Sequence, residues 1–266
     1  MPLTVHVLPQ LQDNYSYVLA WGPQTERAAV VDPAEADRVS EFLLERRLNL
    51  EALLVTHHHG DHVAGIEELL RGRSVPVYCS ASDLDRVPGA TKGLRQGETI
   101  RLQGLVITAL HVPGHTRGHM AYLCEGRLFC GDALFLGGCG RLFEGTAEEL
   151  FHSLYERILP LPEGTKLYPG HEYTMECRAF CADVEKDNSR LLECLEEARL
   201  LRSRGVPTVP GTLKTEKETN VFLRCLDPRV ARAVRERAPH LGRDPDPIAI
   251  FSTLRSWKDV FRFPGH

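Results

Sequence analysis

The sequence predicts an α/β protein: a mixed domain of short strands and helices over residues 1–171, then a smaller, mainly helical domain over residues 172–266. Three observations carry this. Short apolar or alternating runs recur through the first two thirds, bounded by Gly, Pro or Asp. Stretches with apolar residues at helical spacing lie between them. After His171 the character changes. Residues 172–205 hold 14 charged residues out of 34, and Leu191, Leu195 and Ala198 form an i, i+4, i+7 stripe.

In chain order, Leu3 to Leu8 alternates, and Tyr15 to Trp21 is aromatic and β-rich. Ala28-Ala29-Val30-Val31 runs into Asp32-Pro33, a strand meeting a turn. Ala36, Val39, Phe42 and Leu43 predict a helix over 34–47, and Ala52 to Val55 is a wholly apolar strand. Val63 to Arg71 reads as a helix stopped by Gly72, and Val75 to Tyr78 as a strand. Residues 99–102 and 105–110 form one expected strand pair, 120–124 and 127–130 another, each joined through a Gly-containing turn. A helix is expected over 147–158 and a last strand over 166–168. In the tail, 172–205 reads as a helical segment closed by Pro207 and Pro210, and 228–239 and 246–262 as further helices.

A chain of 266 residues makes one large or two small domains at about 150 residues each. With 42% hydrophobic and 26% charged residues it is ordinary globular protein, not collagen, coiled coil or disordered chain. The longest run without a charge, 102–116, has 15 residues, too few for a transmembrane helix. The opening MPLTVHVLPQ lacks the basic and apolar regions of a signal peptide. A net charge of −4 argues against nucleic acid as a partner, and nothing argues for a membrane. Eight cysteines without a CxxC pair read as reduced, buried thiols, so a cytoplasmic location is expected. A monomer is the expected state.

The chemistry concentrates in Thr56-His57-His58-His59-Gly60-Asp61-His62, directly after an apolar strand. Read as H-x-H-x-D-H, it supplies His57, His59, Asp61 and His62, a nitrogen and carboxylate set suited to zinc, iron or manganese. His58 points away if its neighbours point in. Three more candidates, His115, Asp132 and His171, each follow an expected strand and a Gly. Seven ligands exceed the three or four of a single site and suit two metals about 3.5–4 Å apart sharing a water. Asp132 is the natural bridge, because Asp61 belongs with its neighbour His62. His119 suits either packing or the support of a ligand, whereas His6, His111, His152, His240 and His266 read as structural or surface residues.

The order HxHxDH, GHT, GD, GH resembles the metallo-β-lactamase superfamily. His171-Glu172-Tyr173, Gly138-Cys139-Gly140, Asp13-Asn14-Tyr15, Asn220 to Arg224 and Arg255 to Asp259 resemble, more narrowly, glyoxalase II, the hydroxyacylglutathione hydrolases. The resemblance covers nearly the whole chain. It implies an αββα sandwich followed by a helical domain. It implies that His57, His59 and His115 hold metal 1, that Asp61, His62 and His171 hold metal 2, and that Asp132 bridges. It implies that Tyr173, Arg255 and Lys258 bind the glutathione part of a thioester. Where the family commonly has a lysine and a tyrosine against glutathione, this chain has Arg141 and Phe143, which keeps the charge and loses a hydroxyl.

The expected reaction is hydrolysis of an S-2-hydroxyacylglutathione, such as S-D-lactoylglutathione, to glutathione and a 2-hydroxy acid, as in methylglyoxal detoxification. A hydroxide bridging two metals, most simply zinc, attacks the carbonyl, with Asp61 and Asp132 as the carboxylates of the catalytic centre. No Cys nucleophile is needed, and Cys139 reads as a loop-packing residue. The rival expectation is a mononuclear iron persulfide dioxygenase on the same scaffold, using two His and one Asp.

Overall fold

The structure, a computed structural model, describes residues 3–263. The chain forms two compact units. Unit 1 comprises Met1–Val112, Gly118–Gly131 and Tyr168–His171, and unit 2 comprises Pro113–Arg117, Asp132–Leu167 and Glu172–His266.

Unit 1 is built on β1 (Thr4–Gln10), β2 (Asn14–Trp21), β3 (Arg27–Val31), α1 (Ala36–Glu45), β4 (Asn49–Leu54), α2 (Gly60–Val63), α3 (Ile66–Leu69), β5 (Val77–Ser80) and β6 (Lys92–Leu94). The six strands form one sheet in chain order. β1, β2 and β3 pair antiparallel, and β3 to β6 parallel. The helix α1 follows from its stripe: Ala36, Val39 and Leu43 are buried among Val18, Val30, Leu53 and Ile66.

A second sheet contains β7 (Thr99–Leu102), β8 (Leu105–His111), β9 (Met120–Cys124) and β10 (Arg127–Gly131) as successive neighbours. In unit 1 the two sheets are joined through buried aromatics. The Tyr122 hydroxyl donates to the Val55 carbonyl (2.7 Å), and Tyr17 packs on Phe129 at 5.5 Å between ring centres. Two six-stranded sheets with helical segments between strands match the expected α/β class.

Unit 2 carries β11 (Leu134–Phe135) paired with β12 (Gly138–Cys139), α4 (Ala147–His152), the start of β13 (Lys166–Pro169), α5 (Thr174–Val184), α6 (Ser189–Ser203), β14 (Gly211–Thr212), α7 (Leu213–Thr219), α8 (Pro228–Arg237) and α9 (Pro247–Val260). A capping box between Thr146 and Glu149 starts α4, which continues as a π-helical turn over Ser153–Ile158.

Two expectations are corrected, and four short strands are added. The helix expected over Val63–Arg71 is two single turns, α2 and α3. Gly65 between them donates to the Pro33 carbonyl at 3.0 Å, and a Cβ there would lie 2.8 Å from that oxygen. The segment 172–205 breaks into α5 and α6, because the Asn188 side chain accepts from Leu191 N–H and begins a new helix. The strands β6, β11, β12 and β14 have two or three residues each, too few for a periodic signal. Among the described residues, no helix is long and apolar enough to cross a membrane, and all eight cysteines are free and buried.

Candidate metal centre and ligand pocket

The centre in unit 1 is assembled from the ends of strands. After β4 the chain reaches Thr56, whose backbone N–H and hydroxyl both donate to Asp32, at 2.7 Å each. Asp32 follows β3 and takes a φ of 50°, the left-handed conformation that Asp tolerates better than most residues. On the second sheet, Gly131 has a φ of 45°, and a Cβ there would lie 2.5 Å from the Thr56 hydroxyl. Glycine is therefore required where β10 ends against the motif.

Hydrogen bonds fix how the imidazoles are presented. The Thr56 hydroxyl proton goes to Asp32, so at its 3.0 Å contact with His57 Nδ1 the ring is the donor. His62 Nδ1 donates to Asp32 Oδ2 at 3.0 Å, and His171 Nδ1 to Asp13 Oδ1 at 2.8 Å. All three rings thus carry the proton on Nδ1 and the lone pair on Nε2. The Asn14 amide donates to Asp61 Oδ2 at 3.0 Å. That donated bond favours the ionised carboxylate.

The presented atoms converge. His62 Nε2 and His171 Nε2 are 3.3 Å apart, and Asp61 Oδ2 lies 3.6 Å from the first and 3.4 Å from the second. Three electron-pair donors at these distances repel unless a cation lies among them. A tetrahedral ion with bonds of about 2.1 Å separates its ligand atoms by about 3.4 Å. The donor set and its spacing therefore fit a divalent metal. His57 Nε2 similarly faces His59 Nδ1 at 3.0 Å. His58 turns away, toward Arg86 (2.5 Å) and Asp83 (3.5 Å), and buried His119 stacks on His57 with ring centres 4.8 Å apart.

In unit 2, His115 Nδ1 donates to the Arg141 carbonyl at 2.7 Å, leaving Nε2 at 3.5 Å from Asp132 Oδ2. The loop closes tightly beside them: a Cβ on Gly140 would lie 2.0 Å from the Asp132 carbonyl oxygen. His115 and Asp132 line a cavity of about 310 Å³ that also takes in Arg141, Phe143, Tyr173, Arg255 and Lys258. All five sequence-predicted substrate residues thus share one cavity. Phe143 is 61% exposed and packs edge-on against His115, whereas Tyr173 packs on Phe135.

The two tail cations are not exposed helix charges. Arg255 is buried and donates to the Cys139 carbonyl (2.7 Å) and to Asp259 (3.0 Å), with its guanidinium over Phe222. Lys258 pairs with Glu176. Burial pushes the Cys139 thiol up to about 11 and the Cys177 thiol up to about 12, so both stay protonated at neutral pH. No role at the site was expected of Asp32, Thr56, Glu176 or Asp259. Only Asp32 had a usable signal, an acid directly after an apolar strand. His6 packs on Phe42, His152 pairs with Glu156, and His111 and His240 take no part in the centre. His266 lies outside the described residues.

This fold and ligand order define a metallo-β-lactamase superfamily protein, and the superfamily's sequence model matches residues 11–171. A second family model, hydroxyacylglutathione hydrolase C-terminus, matches residues 172–261. The chain belongs to the hydroxyacylglutathione hydrolase, or glyoxalase II, family, whose activity is that of a thioester hydrolase. It is 46% identical over 254 residues to the hydroxyacylglutathione hydrolase of Alkalilimnicola ehrlichii, covering 95% of this chain and 97% of that one. It is 40% identical over 260 residues to that of Vibrio campbellii, covering 97% and 100%. Among solved structures it resembles ETHE1 from Myxococcus xanthus, with a TM-score of 0.64 and 26% identity over 96% of this chain and 98% of that one. It also resembles TTHA1623 in a di-iron-bound form, with a TM-score of 0.59 and 27% identity over 83% and 100%.

Proposed function

We propose that this chain hydrolyses S-2-hydroxyacylglutathione thioesters, S-D-lactoylglutathione among them, with two divalent metals per chain, most simply zinc. His57, His59 and His115 are the proposed ligands of one metal and Asp61, His62 and His171 of the other, with Asp132 shared. The observation that carries this reading is the Asp61–His62–His171 triangle, whose two imidazoles are pinned in the metal-binding tautomer by Asp32 and Asp13. When bound, such a metal pair supplies a water acidic enough to attack near neutral pH and a Lewis acid for the developing oxyanion.

The chain's own residues do the rest. Asp32 holds both Thr56 and His62, so one carboxylate orients two consecutive parts of the motif. Arg141, Phe143, Tyr173, Arg255 and Lys258 are the proposed contacts for the thiol moiety, on residues 172–266 and the loop before them. The departing thiolate is a good leaving group and asks for no general acid. The domain division at 171/172, a cytoplasmic location and a monomeric state belong to the same proposal.

The dioxygenase alternative is not favoured, because the curated relatives at 40–46% identity carry the hydrolase name over nearly their full length. Turnover of S-D-lactoylglutathione and elemental analysis on one sample test the proposal. Thioester hydrolysis with two metals per chain is expected. A chain that saturates at one metal, or that leaves the thioester intact while fully loaded, overturns it.

A further inference from the structure

The charges that face the cavity differ in how far they are already committed. Arg255 is buried, and each of its terminal nitrogens already donates one bond, to the Cys139 carbonyl and to Asp259. The Lys258 side chain is 9% exposed and tied to Glu176 Oε1. Glu176, in the first turn of α5, has a side chain 38% exposed, and Oε1 alone is engaged with Lys258. The Arg141 side chain is 61% exposed and meets Asp259 only through Nε, at 3.4 Å. Among the residues that line the cavity, a ligand therefore meets one accessible guanidinium and one accessible carboxylate, and the carboxylate fronts the lysine; Asp259, equally exposed, lies outside the lining.

We propose that Glu176 is a specificity residue selecting a zwitterionic thiol carrier: it accepts the carrier's ammonium while Arg141 takes a carboxylate. This rests on the glutathione-thioester reading and deepens it, because it assigns a partner to the γ-glutamyl ammonium, which cations alone would repel. A carboxylate with one oxygen held by a lysine is oriented, and its second oxygen is placed to accept a charge-assisted bond. The same pair makes a simple dianionic thiol a poorer ligand, because its charge meets Glu176 before Lys258.

The test compares S-D-lactoylglutathione with the same thioester of glutaryl-cysteinylglycine, in which hydrogen replaces the α-ammonium. Both are run on metal-loaded wild type and Glu176→Gln, and the readout is the ratio of kcat/KM for the two substrates. That ratio does not depend on the fraction of enzyme folded or loaded. Wild type is expected to favour the ammonium-bearing substrate by about three- to tenfold, the range of a partly exposed charge-assisted contact, and Glu176→Gln to bring the ratio near one. A ratio already near one in wild type, or one unchanged by Glu176→Gln, overturns the proposal while leaving glutathione-thioester hydrolysis standing. Equal gains on both substrates make Glu176 a competitor for Lys258, and equal losses make it a support for Lys258; either overturns the proposal. If wild type hydrolyses neither substrate but cleaves thioesters of other thiols, the underlying reading fails with it.

Discussion

At the scale of single residues, the centre depends on groups that never touch a metal. Asp32 accepts three hydrogen bonds, from Thr56 N–H, the Thr56 hydroxyl and His62 Nδ1. Asn at this position keeps the shape but has only one acceptor oxygen, and its NH2 faces a donor. Asp32→Asn should therefore weaken zinc binding by about ten- to hundredfold, the usual size of such an effect. A zinc titration against a competing chelator checks this, and unchanged affinity would show that the tautomer is fixed by something else. Cys139 poses the opposite case. Its thiol is buried and protonated, and it contributes a carbonyl to Arg255 rather than a nucleophile. Cys139→Ser should keep kcat within a few-fold of wild type, since the backbone contact survives. A loss comparable to that from Asp132→Ala, with metals still bound, would refute a mechanism without a cysteine.

At the scale of elements, two acids and an amide hold the tail in shape. The Asn220 amide donates to the Phe135 carbonyl, the Gly138 carbonyl and the fully buried Glu216, and its oxygen accepts from Phe222 N–H. It thereby ties the β11–β12 hairpin, which forms part of the cavity wall, to the helical segment. Asn220→Ala strands several buried partners and should cost roughly 2–4 kcal/mol in urea denaturation. Asp227 begins α8, accepting from Arg229 N–H and pairing with the Arg229 and Arg224 guanidinia, which hold its carboxyl well below the usual range. A carboxyl depressed in the folded state stabilises it at pH above the unfolded value, and that contribution is lost as pH falls through the folded value. The Tm gap between wild type and Asp227→Asn should accordingly be full above about pH 5 and shrink below about pH 4. Melting curves across that range check it, and a gap independent of pH would show that the carboxylate charge contributes nothing.

At the scale of the whole molecule, the ligands of one proposed metal come from distant parts of the chain: His62 and His171 are separated by 109 positions and meet at 3.3 Å. An ion that binds only the folded chain stabilises it by linkage, more so the tighter it binds. Removing metal with a chelator should lower Tm by several degrees, and added zinc should restore it. A Tm indifferent to chelation would mean that the triangle forms without help from a cation.

The metal-ligand types were legible from sequence because coordination needs particular side chains at short spacing, and HxHxDH after an apolar strand allows few other uses. The longer strands and most helices were legible because burial imposes a period of two or about 3.6 on the residues themselves. What tertiary structure alone decided is which remote group meets which. Asp32 lies 30 positions before His62, and Asp13 lies 158 before His171, so no local spacing pairs either acid with the imidazole whose tautomer it fixes. The spacing of Arg255 and Lys258 put them on one face of a helix, but not which groups would meet it: Lys258 meets Glu176, 82 positions away. Pairings of that kind carry no period. They are set by how strand ends and helices pack, and that packing is what turns two tail cations from free charges into committed ones.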